Sequence, residues 1–259
     1  MKKIWDFIEA NKKRILIIAG ILLVILLLAI SFISWKKNEE RKARIQKGIS
    51  YLESLETKDV SEINSKVKSI KAELNLAYAS DNEDEVWIGF EDAVIIGDSR
   101  AVGFSYYGFL SESQVLAEKG AIITGTADRI DQLKSLNPGQ IFLCFGLNDI
   151  QRGLWDEPES YSEQCAEIIE LLNEELPQCE VFLNSILPAG EVAIASTAKY
   201  AEIDDYNASL AQMCEEKGVN FVDNTAVANE HMDLYEPDGL HLQSEFYKYW
   251  AANMLLEVE

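Results

Sequence analysis

Two histidines occur in the chain, and one of them has a neighbour that suits acid–base chemistry. Asp238 precedes His241 by three residues in a loop ahead of the last predicted helix. A histidine that takes a proton from a serine hydroxyl needs a carboxylate to orient it, and this spacing provides both groups from one loop. The other histidine, His231, has Glu230 and Asp233 beside it but follows no predicted strand. We interpret His231 as a surface residue.

A serine with suitable surroundings for a nucleophile lies much earlier in the chain. Ser99 belongs to Gly97-Asp98-Ser99-Arg100, which directly follows a short apolar run. We expect this serine at the amino terminus of the next helix, where free N–H groups and the helix dipole favour developing negative charge. Serine and aspartate are also common helix caps, so this segment alone fits an ordinary cap equally well.

An asparagine offers a hydrogen-bond donor at another strand end. Asn148 stands in Gly146-Leu147-Asn148-Asp149, after a second apolar run. Its side-chain amide has the chemistry to donate to an oxyanion. Taken alone, the segment fits an Asx turn better.

Residues 86–259 alternate between short apolar runs and helical patterns, which is typical of a parallel sheet covered by helices. The predicted strands cover residues 93–97, 114–116, 141–146, 181–186 and 220–222. One predicted helix begins near residue 101, and the others cover residues 127–136, 161–176, 201–217 and 243–256. We therefore expect a doubly wound α/β/α sandwich whose functional residues gather at the carboxyl ends of the strands.

The three polar segments together resemble the first, third and fifth sequence blocks of the SGNH hydrolase family, the GDSL-like lipases and acylhydrolases. They occur in the same order within residues 91–259. The resemblance implies a flavodoxin-like three-layer fold, no cofactor or metal, and hydrolysis or transfer of an acyl group through a serine ester. It also implies a triad with Ser99 as the nucleophile, His241 as the base and then the acid, and Asp238 as the residue that orients it.

The resemblance further implies an oxyanion hole made by three donors. These are the backbone N–H of Ser99, the amide of Asn148 and the backbone N–H of a glycine in the second block. Gly120, after the second strand, is the favoured glycine, and Gly125 is the alternative. Arg100 stands where the family usually has leucine. We favour a pair with an acidic neighbour for this cation, and contact with an anionic substrate group is the alternative.

The amino-terminal part predicts a membrane anchor. Residues 15–35 form an apolar run of 21 residues without a charge, and about 20 such residues cross a bilayer as a helix. A cleaved signal peptide usually has a shorter apolar core. Basic residues flank both ends almost equally, so the positive-inside rule does not fix the orientation. We expect residues 1–14 in the cytoplasm and residues 86–259 outside it, as in a single-pass protein of the cell membrane with an uncleaved signal anchor.

A helical stalk is predicted between the anchor and the body. Apolar residues in 36–85 recur at steps of three and four, which predicts two short helices with a break at 57–59 and a flexible joint at 80–85. The helices are expected to pack on each other or on the body. A homo-oligomer formed through the stalk is the alternative, since the second helix has a coiled-coil rhythm for barely two heptads.

Charge and cysteine usage exclude several functions. Residues 1–47 carry 11 Lys and Arg against 4 Asp and Glu, whereas the rest carries 12 against 40. An acidic body repels phosphate backbones, so nucleic acid is not an expected partner. The four cysteines contain no CxxC pair, which argues against a zinc site. We expect buried free thiols, and a disulfide between Cys165 and Cys179 is the alternative.

The sequence says least about the substrate. The loops at residues 151–159 and 187–200 carry no diagnostic motif. Tyr106, Tyr107 and Trp155 lie near the expected rim, where they either stack on sugar rings or simply pack. For an exported esterase we expect acetylated cell-envelope polysaccharide as the ester substrate. The alternatives are an O-acyltransferase on envelope glycans and a catalytically silent module that binds a glycan or a partner.

Overall fold

The computed structural model describes residues 83–155 and 157–258, with isolated positions at 36, 37, 42, 47 and 70. The predicted tail and transmembrane helix, residues 1–35, lie outside the described residues, as does most of the predicted stalk. The chain divides into two compact units, Met1–Glu62 and Ile63–Glu259. Among the described residues no helix is long and apolar enough to cross a membrane.

A parallel sheet of five strands forms the centre of the second unit, in the order β2-β1-β3-β4-β5. The strands are β1 Ala93–Gly97, β2 Val115–Ala117, β3 Gln140–Cys144, β4 Glu180–Asn184 and β5 Asn220–Val222. This order is the flavodoxin-like one, in which the connections change side between β1 and β3. The crevice at that change of side, beyond the carboxyl ends of the strands, is where such folds usually bind ligands.

Helices connect the strands and cover the sheet. Between residues 83 and 258 the α-helices are α1 Glu83–Ile88, α2 Gly103–Tyr106, α3 Ile130–Leu136, α4 Leu147–Arg152, α5 Pro158–Glu175, α6 Glu191–Ser196, α7 Ile203–Lys217, α8 Thr225–Glu230 and α9 Phe246–Leu255. Three 3₁₀ helices in the described residues cover Ile123–Arg129, Ala198–Glu202 and Met232–Leu234.

Both faces of the sheet are buried, which makes the fold three-layered. Successive residues of a strand point to opposite faces, so Val94 and Ile96 pack in one core with α3, α5 and α7. Ala93 and Ile95 pack in the other core with α1, α2 and α9. Phe142 of β3 stacks on Phe182 of β4 in that second core, with ring centroids 4.9 Å apart. The sheet is therefore held from both sides, and its carboxyl edge has a fixed geometry.

All five predicted strands are present, and three of them are shifted by one or two residues at their ends. The observed helices differ more from the predicted helices than the strands do. Residues 83–85, predicted to end a flexible joint, belong to α1, which therefore crosses the predicted boundary between residues 85 and 86. Val86 on this helix is fully buried, so core packing overrides the polar local sequence. Three further helices, α4, α6 and α8, lie in segments predicted as loops, because six residues are too few to show a helical period.

The four cysteines are free thiols. Cys144, Cys165 and Cys214 are buried, and Cys179 is half-buried. The alternative disulfide between Cys165 and Cys179 is therefore wrong. Cys165 is fully buried in the core that contains α5. Cys179 is only partly buried and directly precedes the amino end of β4.

Candidate active site

Ser99 lies in a tight turn directly after β1. The turn is closed by backbone bonds from Val102 N to Asp98 O, 3.3 Å, and from Gly103 N to Arg100 O, 3.3 Å. Helix α2 begins only at Gly103 and has four residues. The expectation that Ser99 stands at a helix amino terminus is therefore wrong, because the chain makes a turn first. Ser99 as a whole is half-buried at the carboxyl edge of the sheet.

The residues before Ser99 hold this turn against the sheet. A side chain at Gly97 would lie 2.6 Å from the Cys144 carbonyl oxygen, so only glycine fits between β1 and β3 there. Asp98 is 1% exposed, and its Oδ1 accepts a hydrogen bond from Arg100 N at 3.0 Å. Burial raises the pKa of Asp98, although the nearby Arg100 cation opposes the shift. The turn is thus held by groups that are themselves out of water.

His241 and Asp238 form a hydrogen-bonded pair. The distance from His241 Nδ1 to Asp238 Oδ2 is 2.6 Å. Asp238 Oδ1 also accepts the backbone N–H groups of Leu240, 2.8 Å, and His241, 2.9 Å. Partial burial alone would raise the pKa of Asp238, but these hydrogen bonds hold it below its ordinary value. The carboxylate therefore fixes Nδ1 of the imidazole and leaves Nε2 for another partner.

Ser99 and His241 line one cavity of about 230 Å³. The other lining residues are Val102, Gly103, Tyr106, Tyr107, Lys119, Glu236, Leu242 and Tyr247. Within the described residues Ser99 Oγ makes no hydrogen bond, so it is not bonded to the imidazole. Such bonds are often long or absent in unliganded active sites. The fold thus brings the predicted nucleophile and the predicted base to the same cleft, although 142 positions separate them in the sequence.

Asn148 lies just after β3, one of the two strands that pair with β1. This residue is the second of α4, and its Nδ2 donates to the Ala121 carbonyl at 2.9 Å. Asp149 is buried and accepts the backbone N–H groups of Gly146 and Ile123, each at 3.1 Å. Burial raises the pKa of Asp149 to about 7, and these two donors oppose the shift. Asn148 and Asp149 together tie the segment after β3 to the segment after β2.

The two candidate glycines differ in what their N–H groups do. Gly120 adopts the left-handed region, with φ +79°, and its N–H donates to no acceptor among the described residues. Gly125 donates its N–H to Ile122 O at 3.0 Å. Both glycines line a second cavity of about 250 Å³, and Lys119, the residue before Gly120, lines the cavity that holds Ser99. The Ser99 N–H also has no acceptor in the described part of the chain.

Arg100 does not form the expected ion pair. The residue is 3% exposed, and no carboxylate of the described residues lies within ion-pair distance of its guanidinium. Its Nη1 donates to the Leu187 carbonyl at 2.8 Å instead. The alternative, contact with a substrate anion, has no support either, because Arg100 is not among the residues that line the cavity.

Two further expectations need correction. Trp155 packs at a tilted angle against Tyr161, with ring centroids 5.4 Å apart, and against the core. It therefore has the packing role and does not line the cavity with Tyr106 and Tyr107. His231 is half-buried rather than on the surface, and its ring stacks on Tyr249 at 3.9 Å. His231 is not a lining residue of the Ser99 cavity.

Two tyrosine hydroxyls connect the segments that carry Ser99 and His241. Tyr247 donates its hydroxyl proton to Arg100 O at 2.7 Å, and Tyr107 donates to Leu242 O at 3.2 Å. These bonds join residues 147 and 135 positions apart. No local pattern signals such a contact. No group of three or more His, Cys, Asp or Glu side chains in the described ranges is arranged to hold a metal ion.

Comparison with known proteins assigns the chain to a family. The sequence profile of the GDSL-like lipase/acylhydrolase family matches residues 95–249. No curated protein matches the chain.

Three solved structures share the fold, and each is 18% identical in sequence. They are a proposed acylhydrolase from Bacteroides fragilis, with a TM-score of 0.52 over 68% of this chain and 94% of the other; a GDSL-like lipase from Bacteroides thetaiotaomicron, with 0.52 over 73% and 95%; and a proposed GDSL-like lipase from Parabacteroides merdae, with 0.51 over 63% and 96%. At this identity the likeness is one of fold.

Proposed function

Because the chain belongs to the GDSL-like lipase/acylhydrolase family, we propose that it is an esterase in which Ser99, His241 and Asp238 form the catalytic triad. One observation carries the proposal: Ser99 and the Asp238–His241 pair line the same cavity at the carboxyl edge of the sheet. The hydroxyl of Ser99 and the Nε2 of His241, which has no hydrogen-bond partner within the described residues, are the two groups that acyl transfer requires.

The reaction proceeds through a serine ester. Ser99 Oγ attacks the carbonyl carbon of the substrate ester while His241 Nε2 takes the hydroxyl proton. The Asp238 carboxylate, bonded to Nδ1, stabilises the imidazolium that forms. His241 then gives the proton to the departing alcohol. Water then attacks the acyl-enzyme while the same imidazole takes one of its protons. The imidazolium gives this proton to Ser99 Oγ as the acid departs.

The oxyanion that forms in each step needs hydrogen-bond donors. We assign the backbone N–H groups of Ser99 and Gly120 and the side-chain amide of Asn148. The support is that both N–H groups have no acceptor within the described residues, whereas the Gly125 N–H is already used. Asn148 has a second amide proton beyond the one given to Ala121 O.

The substitution Asn148→Ala is expected to reduce kcat by about 100- to 1,000-fold, which is the usual effect of removing one oxyanion donor. KM changes little, because the donor acts mainly on the transition state. Steady-state hydrolysis of ethyl acetate measures this. Asn220→Ala is the matched control, since this exposed amide donates to the Glu180 carboxylate at the amino end of the sheet. An Asn148→Ala variant with a kcat within threefold of the wild type removes Asn148 from the oxyanion hole.

We further propose an acetylated carbohydrate of the cell envelope as the substrate. The alcohol part of the ester must lie on the His241 side of Ser99, because His241 protonates it. The cavity there carries two exposed rings, Tyr106 at 77% and Tyr107 at 38%. Lys119 and Glu236 add polar groups beside them. Rings that can stack and polar groups that can bond hydroxyls fit a sugar better than a long aliphatic alcohol.

The substitution Tyr106→Ala tests the sugar. For an acetylated oligosaccharide kcat/KM is expected to fall about 5- to 10-fold, the size of one lost ring contact. For ethyl acetate, whose alcohol is too small to reach the ring, kcat/KM stays unchanged. Tyr106→Phe keeps the ring and should keep both rates. Equal losses on both substrates, or on neither, argue against a sugar at Tyr106.

The acceptor of the acyl group distinguishes hydrolysis from transfer. Acetylated envelope glycan is incubated with the enzyme, with and without an unacetylated oligosaccharide, and the products are analysed. Free acetate in both reactions supports the esterase, and acetylated oligosaccharide supports the O-acyltransferase. No turnover of any ester would leave the silent binding module as the account of this chain.

We also propose that residues 15–35 anchor the protein in the cell membrane, with residues 86–259 outside the cytoplasm and residues 36–85 as a stalk. The support is the uncharged apolar run of 21 residues. Protease added to intact cells should then digest the body. A body that survives on intact cells but is digested after lysis contradicts this orientation. Cross-linking of stalk cysteines introduced one at a time tests whether the stalk forms an oligomer.

A further inference from the structure

Arg100 follows the proposed nucleophile, yet its side chain is withdrawn from the cavity. The residue is 3% exposed, and its Nη1 donates to the Leu187 carbonyl at 2.8 Å. Removing a guanidinium from water is costly unless it gains good partners. The partner here is a backbone carbonyl on a different loop, so the bond fixes the relative position of two segments.

Leu187 belongs to the segment after β4, residues 185–190, called the β4 loop below. This loop is bonded twice to the segment that carries the histidine. The Tyr235 hydroxyl donates to Pro188 O at 3.1 Å, and Gly190 N donates to Gly239 O at 2.7 Å. The two glycines touch so closely that a side chain at Gly190 would lie 3.1 Å from the Gly239 Cα.

The segment that carries the histidine, residues 235–241, is closed on itself and is called the His241 loop below. Glu236 N donates to His241 O at 2.8 Å, and Gly239 N donates to Glu236 O at 2.8 Å. Asp238 adds its bonds to the backbone of the same loop. A displacement of Tyr235 or Gly239 therefore moves the imidazole with it.

The positive charge of Arg100 acts on acidic groups of both segments, Asp98 beside Ser99 and Tyr235 on the His241 loop. Burial raises the pKa of Tyr235 to about 12 and also raises that of Asp98, and the Arg100 cation opposes both shifts. The guanidinium thus lies within electrostatic range of Asp98 on the nucleophile turn and of Tyr235 on the His241 loop. An apolar side chain at position 100 would provide neither the hydrogen bond to Leu187 nor this charge.

We propose that Arg100 is a positioning residue, which holds the β4 loop through Leu187 O and thereby sets the distance of His241 from Ser99. The inference rests on the proposed triad, because it concerns how two of its members meet. It also explains the burial of a cation next to a nucleophile, where contact with substrate and an ion pair both lack support. A small misplacement of a reacting group is enough to slow a reaction by about 100-fold.

The test compares Arg100→Met and Arg100→Lys in the full-length protein with ethyl acetate as the substrate. Arg100→Met is expected to lower kcat by about 10- to 100-fold and to leave KM within about twofold, because no substrate contact is lost. Arg100→Lys should recover part of kcat, since an ammonium can still donate to Leu187 O. Lys217→Met is the control for loss of a positive charge, as Lys217 pairs with Glu170 on exposed helix surfaces and should keep wild-type rates.

A second variant keeps the test decisive if Arg100→Met does not fold. Tyr235→Phe removes only the hydroxyl that donates to Pro188 O. It should lower kcat by a few-fold at unchanged KM. In a folded double variant the combined loss should be smaller than the product of the single losses, because both changes release the same loop.

Three results overturn the proposal. They are a wild-type kcat in a folded Arg100→Met variant, a raised KM with unchanged kcat, and, where Arg100→Met does not fold, a wild-type kcat for Tyr235→Phe. Any of these with an activity that still depends on Ser99 rejects only the role of Arg100. Activity that persists in Ser99→Ala rejects the triad itself.

Discussion

Replacement of Ser99 by alanine is expected to reduce ester hydrolysis by about a million-fold, the scale found when the nucleophile of a catalytic triad is removed. The loss falls on kcat, because no second serine, threonine or cysteine of the described residues lines the cavity. The fold should be unaffected, since Ser99 Oγ makes no hydrogen bond within the described residues. Hydrolysis of ethyl acetate and thermal unfolding of the same preparation measure both points.

Ser135→Ala is the control for the loss of a serine hydroxyl. Ser135 Oγ donates to the Asp131 carbonyl on the exposed side of α3. Ser135 does not line the cavity, so its alanine variant should keep the wild-type rate. A Ser99→Ala protein that retains more than a few per cent of the wild-type rate would reject Ser99 as the nucleophile. A Ser99→Ala protein that unfolds at a much lower temperature would instead show that the hydroxyl has a structural role.

Replacement of Asp238 by asparagine should reduce kcat by about 10,000-fold. The asparagine can still accept the N–H groups of Leu240 and His241 through its oxygen. Its NH₂ then faces His241 Nδ1 and can only donate to it, which selects the tautomer that carries no lone pair on the side of Ser99. The measurement is kcat on ethyl acetate, with Asp233→Asn as the control beside the other histidine. A loss of less than tenfold would mean that Asp238 does not orient the base.

The hydrogen bonds of Asp238 also set a pH dependence. They hold the pKa of Asp238 below its ordinary value, so the folded protein prefers the carboxylate. This contribution to stability is present above the ordinary pKa of aspartate, near pH 4, and is lost as the pH falls through the lowered folded value. In urea unfolding at a series of pH values, the stability that the wild type gains over Asp238→Asn from these hydrogen bonds should shrink as the pH falls below about 4.

The sheet, and the position of Ser99 and Asn148 at one of its edges, are predictable from the sequence for one physical reason. Parallel strands buried on both faces are short, continuous apolar runs, and the polar residues that end them must lie at the carboxyl edge. Ser99 and Asn148 follow β1 and β3 in this way, so their shared edge is predictable without coordinates. Asp238 and His241 are predictable as a pair because three residues of a loop separate them.

The rest of the site depends on contacts that no local pattern records. A turn at Ser99 precedes the helix that the sequence predicts there, and Tyr247 OH donates to the Arg100 carbonyl in that turn from 147 residues away. The partner of Arg100 is a backbone carbonyl, and every residue has one, so composition gives no sign of it. Gly120 differs from Gly125 in its left-handed backbone and in an N–H that has no acceptor among the described residues, and both features require coordinates.

A fluorophosphonate probe tests the central claim most directly, because it reacts with a serine hydroxyl only where a base activates it in an accessible cleft. The wild-type protein is labelled, digested and analysed by mass spectrometry. One phosphonyl group per chain, located on Ser99 and absent from Ser99→Ala, is the predicted result. Labelling of a different residue, or no labelling of a protein that hydrolyses esters, would contradict the account.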